Sequence, residues 1–314
     1  MQYILRIVFV FFTTFIVASL VYALFNIGQA AYRNNYKKHK EMFVDSTKYD
    51  VLLVGSSRAY KNIDPIICDS ITELSFYNAG VAGAKFYEIS MIFSAYFNTH
   101  RVVPKYIVYN LDELNFSTDK NFFNPTLYFD FLDNPEIYKG FKYKKYPVWL
   151  YKYIPFTRAL EYNDDLRNNA LKGLLGHVNL EDITVKGYSK MTHDNFKKLA
   201  TNNPRPIKLG TYKNNTFFNS IITFCKKNNI KLIFVISPVY DSYYKKSISN
   251  YDEVVDDFQT FTDNNNYSFW RFDTIPVCYS KKYFADDTHL NKNGTDVFSS
   301  ILAKKIKEFI KLRK

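Results

Sequence analysis

The feature that most constrains the fold of this sequence is an uncharged apolar run near the N-terminus, from Ile7 to Phe25. As an α-helix, this run is about as long as the hydrocarbon core of a bilayer is thick. It therefore predicts a membrane-spanning signal anchor over residues 1–28. A cleaved signal peptide is the alternative, although the run is longer than the apolar part of a usual signal peptide and no clear small-residue cleavage site ends it.

The charged residues beside this run bear on the orientation of the anchor. Arg6 stands alone before the run, whereas Arg33, Lys37, Lys38 and Lys40 follow it. The flank that carries more Lys and Arg tends to stay in the cytoplasm. By this count the globular part would face the cytoplasm, and we keep that orientation as an alternative.

The rest of the chain alternates between two kinds of pattern. Residues 29–47 are polar and charged and predict a juxtamembrane helix or stalk, which is followed by a globular part over 48–314. Continuous apolar runs predict strands within 49–55, 74–81, 104–112, 230–238 and 267–273. Amphipathic patterns predict helices within 85–98, 216–229, 252–262 and 291–313. This alternation predicts an α/β fold with a doubly wound parallel sheet, whose strands are buried on both faces.

One long stretch, at about 115–210, does not follow this alternation. It has no clean buried strand, and 15 aromatic residues lie between Phe116 and Tyr162, interleaved with lysines. A connection of this length inside a compact domain normally forms a substructure of its own. We therefore predict an inserted cap that is mostly helical. Its aromatic residues would form a local core or, alternatively, a surface for a membrane partner or a saccharide.

Charge and cysteine content limit the classes of partner and cofactor. The net charge of +12 comes from lysines spread along the chain. Because no nucleic-acid motif accompanies them, we expect no nucleic-acid partner and a general preference for anionic surroundings, although compositional bias would give the same charge.

Cys68, Cys225 and Cys278 have no metal-binding spacing and are predicted to be packing residues. No ligand set or phosphate loop is visible, so we expect no metal and no cofactor.

A hydroxyl at one end of the globular part and an imidazole at the other form a candidate catalytic set. "VGSSRAY" places Ser57 directly after the first predicted strand, and "FADDTHLN" places Asp286 three residues before His289, ahead of the last helix. A serine nucleophile needs a base, and the base needs a group that orients it. Active sites of open parallel sheets lie at the carboxyl ends of the strands, where both motifs fall. Alternatively, Ser57 closes a strand, and Asp286 or Asp287 caps the last helix.

Four motifs together resemble the SGNH (GDSL-type) hydrolase superfamily: "GSSR" after the first strand, "YNAGVAG" after the second, the "FVISP" strand, and "DDTHLN" before the last helix. In particular, the chain resembles the membrane-anchored members, which act on cell-envelope polymers. The resemblance covers Tyr49 to about Ile310 apart from the cap. It implies a flavodoxin-like three-layer fold, with Ser57 as nucleophile, His289 as base and Asp286 as acid. Ser56 stands where the family usually has Asp.

The resemblance also implies an oxyanion hole. Gly83 matches the glycine of the second motif, with Gly80 as the nearby alternative, and the backbone N–H of Ser57 would be a second donor. The third motif departs from the family pattern, because "NLDELN" replaces the usual Gly-x-Asn-Asp. Asn115 would supply the amide donor if the register shifts by a residue; otherwise that donor is missing. Loss of one such donor typically costs about a hundredfold in rate.

Two functions are therefore expected from the sequence. The first is a single-pass serine esterase or O-acyltransferase of the bacterial inner membrane, with a periplasmic or otherwise extracytoplasmic domain. It would act on acyl esters of a cell-envelope polysaccharide, with a membrane-bound O-acyltransferase as the partner that the resemblance suggests. The alternative is a catalytically inactive SGNH-like scaffold or binding subunit of an acyltransferase complex.

Overall fold

The computed structural model describes residues 1–32, 35–100, 102–112, 122–179, 183–191, 196–198 and 204–312. In this part of the chain the strands are β1 (Val51–Gly55), β2 (Phe76–Asn78), β3 (Tyr106–Leu111), β4 (Thr184–Val185), β5 (Tyr188–Ser189), β6 (Lys231–Ile236) and β7 (Ser268–Arg271). The helices before the cap are α1 (Gln2–Tyr32), α2 (Asn35–Phe43), α3 (Ser57–Asn62), α4 (Pro65–Thr72) and α5 (Phe86–Thr99). The later helices are α6 (Pro135–Tyr143), α7 (Val148–Tyr153), α8 (Asp164–Leu174), α9 (Thr216–Lys227), α10 (Tyr243–Ser247), α11 (Tyr251–Asn264) and α12 (Lys292–Lys311).

Five strands form a parallel sheet in the order β2-β1-β3-β6-β7. Successive side chains of a strand point to opposite faces, so Val108 and Tyr109 of β3 enter two different core clusters. Helices α5, α9 and α11 contribute to one cluster, and α4 and α12 contribute to the other. The result is a three-layer, doubly wound sheet with the flavodoxin-like strand order, which confirms the predicted fold class.

The strands predicted from continuous apolar runs are present because both faces of the sheet are covered. Every residue of β1 is buried, and β6 is buried from its second residue onward. The four predicted helices correspond to α5, α9, α11 and α12, and asparagine side chains fix the start of two of them. Asn215 accepts hydrogen bonds from the N–H groups of Phe217 and Phe218, and Asn291 accepts one from Gly294. The three cysteines are buried, as expected of packing residues.

The described part of the predicted cap is mainly helical between residues 122 and 179. It contains α6, α7, α8 and 3-10 turns at Pro125–Phe131 and Pro155–Glu161. Phe129 and Phe141 are buried and pack with ring centroids 5.7 Å apart, so part of the aromatic content is a local core. The β4–β5 hairpin follows, and Lys186 in its turn accepts a hydrogen bond from the backbone N–H of Asn78 at the end of β2. Its position beside β2 was not predicted.

The N-terminal helix α1 is long and apolar enough to cross a membrane, and it is almost entirely exposed. A signal sequence near an N-terminus can meet the same criterion of length and hydropathy. The following helix, α2, packs against the domain, where Met42 and Phe43 are buried in the core. Part of the segment predicted as a juxtamembrane helix or stalk is therefore helical and folded onto the domain.

A buried carboxylate joins the cap to the first layer of helices. Glu88 on α5 accepts a hydrogen bond from the hydroxyl of Tyr128 at 2.6 Å and another from the backbone N–H of Phe123 at 3.2 Å. Burial raises the pKa of Glu88 to about 7, although these two hydrogen bonds act in the opposite direction. The folded protein therefore binds a proton at Glu88 more tightly than the unfolded chain does.

This proton linkage predicts a pH-dependent effect of Glu88→Gln. Between the ordinary pKa of 4.5 and the folded pKa of about 7, stability falls as pH rises, because only the folded state still holds the proton. As the pH rises from 4.5 to about 7, the unfolding free energy of the unmodified protein should fall, relative to that of Glu88→Gln, by on the order of 3 kcal/mol. Denaturant unfolding of the detergent-solubilised protein measures this, with the exposed Glu308→Gln as control. Parallel pH profiles for the unmodified protein and Glu88→Gln would contradict the prediction.

Candidate active site

Ser57 lies at the carboxyl end of β1, where the chain turns into a helix. β1 ends at Gly55, and Ser57 is the first residue of α3. Gly55 has a φ of +149°, and a Cβ there would lie 2.6 Å from the carbonyl oxygen of Asn110 on the neighbouring strand. Only glycine permits this tight exit from the strand. The turn places the hydroxyl of Ser57 at the edge of the sheet where sites of this fold class form.

The structure brings Ser57, His289 and Asp286 together in one hydrogen-bonded chain. His289 Nε2 lies 2.9 Å from Ser57 Oγ, and His289 Nδ1 lies 2.9 Å from Asp286 Oδ2. These separations are within the range that proton transfer requires. Ser57 and His289 are 232 residues apart in the chain, so the fold, and not local sequence, joins them. The side chains of His289 and Asp286 are 22% and 15% exposed, which leaves the imidazole accessible from solvent.

Asp286 is held as a carboxylate by the loop before α12. Its Oδ1 accepts hydrogen bonds from the backbone N–H groups of Thr288 and His289, each at 2.8 Å, and from the Thr288 hydroxyl at 2.9 Å. Burial alone would raise the pKa of Asp286, but the hydrogen bonds and the charge of His289 outweigh it and hold the pKa at about 2. An ionised Asp286 only accepts, so His289 Nδ1 donates to it and Nε2 is free to accept from Ser57.

The predicted alternative, in which Asp286 or Asp287 caps the last helix, does not hold. The N-cap of α12 is Asn291, whose side chain accepts from the N–H of Gly294 at 3.0 Å. Asp286 instead folds back onto its own loop, and the backbone carbonyl of Asp287 accepts a hydrogen bond from the N–H of Tyr240 at 2.9 Å. The carboxylate of Asp286 is therefore directed toward the imidazole.

Asn62, at the end of α3, connects the serine element to the histidine loop. Its side chain is fully buried, and its Oδ1 accepts the backbone N–H of Leu290 at 3.0 Å. Its Nδ2 donates to the backbone carbonyl of Thr288 at 3.4 Å. These two hydrogen bonds hold the residues on either side of His289 and connect them to α3, the helix that begins with Ser57. Sequence analysis missed this residue because a lone asparagine in a helix has no distinguishing pattern.

The second predicted motif also packs against α3. Asn78 Nδ2 donates to the carbonyls of Ala59 and Ile63, and its Oδ1 accepts from the N–H of Gly80 at 3.0 Å. Gly80 has no room for a side chain, because a Cβ would lie 2.7 Å from the Cβ of Ala59. Gly83 adopts a left-handed φ of +70°, and the Phe123 ring lies against it. The roles of Gly83 and Gly80 as oxyanion donors stay predictions, and Asn115 lies outside the described residues.

A buried charged pair lies beneath the site. The hydroxyl of Ser56 donates to Asp112, which follows β3 directly. Asp112 lies 4.0 Å from the guanidinium of Arg58, whose Nη1 also donates to the Tyr244 hydroxyl at 2.7 Å. Both charged side chains are almost fully buried, so Arg58 is a structural residue and not an exposed group for anionic substrates. Asp112 could have been singled out from the sequence, because it ends a predicted strand at the catalytic edge of the sheet.

Similarity to known proteins was found only at the level of structure, since no family model and no curated protein matches the sequence. A protein of Desulfitobacterium hafniense DCB-2 assigned to the G-D-S-L lipolytic family matches with a TM-score of 0.40 and 9% identity, over 82% of this chain and 99% of that one. A protein of Bacteroides fragilis NCTC 9343 assigned as an acylhydrolase matches with a TM-score of 0.43 and 13% identity, over 87% and 93%. A carbohydrate acetylesterase family member from Sinorhizobium meliloti matches with a TM-score of 0.37 and 9% identity, over 83% and 98%.

Because these three TM-scores lie below 0.5, the activity of this chain is inferred from its own site.

The bridging role of Asn62 predicts a loss of stability when its side-chain amide is removed. Asn62→Ala leaves the buried N–H of Leu290 without its acceptor, which should lower the unfolding free energy by about 1–3 kcal/mol. Asn62→Asp keeps the acceptor oxygen but turns a second carboxylate oxygen toward the Thr288 carbonyl in a buried site, so it should not recover this loss. Urea unfolding of the detergent-solubilised protein measures both, with the exposed Asn168→Ala on α8 as control. If Asn62→Ala is as stable as this control, Asn62 does not hold the histidine loop.

Proposed function

We propose that this protein is a serine-dependent ester hydrolase or O-acyltransferase of the SGNH type. The observation that supports it is the continuous chain from Asp286 through His289 to Ser57, with both heavy-atom distances at 2.9 Å. A hydroxyl, an imidazole and an ionised carboxylate in this order form the arrangement that activates serine for acyl transfer. The three side chains come from the two ends of the α/β domain and meet at the carboxyl edge of its sheet.

In the proposed reaction, Ser57 Oγ attacks the carbonyl carbon of an ester while His289 Nε2 takes its proton. Asp286 stabilises the imidazolium that forms. When the tetrahedral intermediate collapses, His289 returns the proton to the departing alcohol, and the acyl group stays on Ser57. Water or a sugar hydroxyl then attacks the acyl-enzyme, with His289 again acting as base. The acyl group leaves, and Ser57 regains its proton.

The negative oxygen of the intermediate needs donors close to Ser57. We propose the backbone N–H of Ser57, which lies in the first turn of α3, where N–H groups have no partner within the helix. Gly83 is the proposed second donor, and its left-handed φ fits a turn that presents backbone N–H groups. Asn115 remains the proposed side-chain donor. A hole with fewer donors would still give activity, at about a hundredfold lower rate for each donor missing.

We further propose that α1 anchors the protein in the bacterial inner membrane and that the α/β domain lies on the periplasmic side. The substrate would be an acyl ester of a cell-envelope polysaccharide, and a membrane-bound O-acyltransferase would be the partner. The length and apolar exposure of α1 support the anchor, and the net charge of +12 suits an anionic envelope. The substrate and the partner rest on the resemblance of the motifs to envelope-associated members of the superfamily.

An inactive scaffold or binding subunit of an acyltransferase complex is the second candidate function. The observation that favours it is the buried Asp112, which lies in the motif that usually carries the donor asparagine and is bound to Ser56 and close to Arg58. A carboxylate cannot donate a hydrogen bond to an oxyanion. Reactivity of Ser57 distinguishes the two functions.

A fluorophosphonate probe tests the reactivity of Ser57. The full-length protein in detergent should be labelled, because the probe reacts with serines that a neighbouring base activates. Ser57→Ala should abolish labelling, whereas the exposed Ser70→Ala on α4 should keep it. A folded protein that is not labelled, or labelling that persists in Ser57→Ala, would exclude the proposed mechanism and favour the scaffold.

The side of the membrane is tested separately by reporter fusions at the C-terminus. We expect alkaline phosphatase fused after residue 314 to be active and a cytoplasmic fluorescent reporter at the same position to be dark. The opposite pattern would place the domain in the cytoplasm, as the charge count alone predicts. It would rule out a periplasmic polymer as substrate without affecting the chemistry of Ser57.

A further inference from the structure

The contacts between the cap and α1 extend from Phe25, where the apolar run ends, back to Phe15 near the middle of the run. Phe156 contacts Phe15 with ring centroids 5.3 Å apart, and Tyr162 stacks on Phe25 at 4.9 Å. Phe15 and Phe25 are ten residues apart, which is about 15 Å along a helix axis. That distance is about half the thickness of a hydrocarbon core. If α1 spans the membrane over its uncharged run, Phe156 lies near the middle of the bilayer.

The opposite face of α1 is apolar at this same level. Four residues between 16 and 27 on this face are exposed large hydrophobics, each more than 40% accessible: Ile16, Leu20, Leu24 and Ile27. A helix that bordered water here would show polar side chains on its free face. The section of α1 that the cap contacts is therefore suited to hydrocarbon on its other side, and the cap shares its depth.

The contacting part of the cap, residues Tyr153–Leu160, is here called the cap tip. Its exposed residues carry no charge, and Leu160 is 84% accessible. The charged residue of the cap tip, Arg158, is buried, and its guanidinium pairs with Asp130 at 3.0 Å and donates to the hydroxyl of Tyr22 at 3.3 Å. The carboxylate of Asp130 is 44% exposed, and the contact of Arg158 with Tyr22 places this pair near the end of the apolar run of α1, where a charged pair costs less than at the bilayer centre.

Exposed charged residues are found in the part of the cap that packs beside α1 past the end of its apolar run. Asp164, Asp165 and Arg167 are exposed in the first turns of α8. At this level Gln29 of α1 donates a hydrogen bond to the carbonyl of Leu166. The change from uncharged to charged surface thus occurs at the same height on α1 and on the cap, as expected at a membrane–water interface.

We propose that the cap tip inserts beside α1 into the leaflet that faces the domain, and that a lipid acyl chain occupies the groove between them. The groove has a volume of about 680 Å³, and its wall includes Val17, Val21, Phe25, Phe156 and Ala159. A mainly apolar groove of this size that opens toward hydrocarbon is suited to an acyl chain. This inference rests on the proposed anchoring by α1 and adds a second, monotopic contact with the membrane.

Tryptophan quenching by brominated phospholipids tests this insertion. The native tryptophans, Trp149 and Trp270, are first replaced by Phe, and single tryptophans are then introduced into the full chain reconstituted in phosphatidylcholine vesicles. Leu160→Trp reports on the cap tip, Val17→Trp on the anchor, and Leu312→Trp on an exposed position at the far end of α12. Size-exclusion chromatography in detergent checks that each variant is folded.

With bromine placed midway along the acyl chains, Val17→Trp and Leu160→Trp should each lose most of their fluorescence relative to unbrominated vesicles. Leu312→Trp should keep its fluorescence. If Val17→Trp is quenched while Leu160→Trp behaves like Leu312→Trp, the cap tip lies outside the bilayer and this inference is wrong. If Val17→Trp is also unquenched, the proposed anchoring itself fails, so the two failures are distinguishable.

Discussion

The position of the site depends on the packing of one short helix, α3, between the sheet and the loop that precedes α12. Ser57 begins this helix and Asn62 ends it, so a single rigid turn-and-a-half connects the nucleophile to the residue that holds the histidine loop. Asn78 fastens the same helix to the end of β2 through the carbonyls of Ala59 and Ile63. A buried side-chain amide can donate and accept hydrogen bonds at the same time, which fixes the relative orientation of the elements it joins as well as the distance between them. The Ser57 hydroxyl is thus positioned by three separate parts of the chain.

The sheet and the candidate triad could be predicted because their signals are local and strong. Continuous apolar runs such as "VLLVG" mark strands that are buried on both faces, and the strand order then follows from a common α/β topology. Ser57 follows a strand of this kind and His289 precedes the last helix, so the topology brings the two residues together. The role of Asn62 could not be predicted, because its partner Leu290 is distant in the sequence. Asp112 ends a predicted strand and could have been singled out, but its contact with Ser56 could not be read from the sequence.

The orientation of the anchor illustrates a limit of counting charges along a sequence. Lys38 is one of the four basic residues that follow the apolar run, yet in the folded protein it is 1% exposed. Its ammonium group donates to the carbonyl of Gly187 at 2.7 Å and lies 3.9 Å from the centre of the Tyr60 ring. Burial lowers the pKa of Lys38 well below its ordinary value. In the folded protein, Lys38 therefore contributes to the interior beside α3 and not to a basic flank at the membrane surface.

The connection between anchor and domain is a packed interface, not a flexible tether. Gly28 of α1 approaches Ala170 and Gly173 of α8 so closely that a Cβ at Gly28 or at Gly173 would overlap the backbone of the other helix. Small residues allow two helices to approach each other this closely. The cap is in turn joined to α5 through Glu88 and Tyr128. Because each of these contacts is buried, the fold fixes the position of the domain relative to α1. If α1 is the proposed anchor, a site held in this way suits a substrate presented at the membrane surface, since the domain cannot extend to reach a distant one.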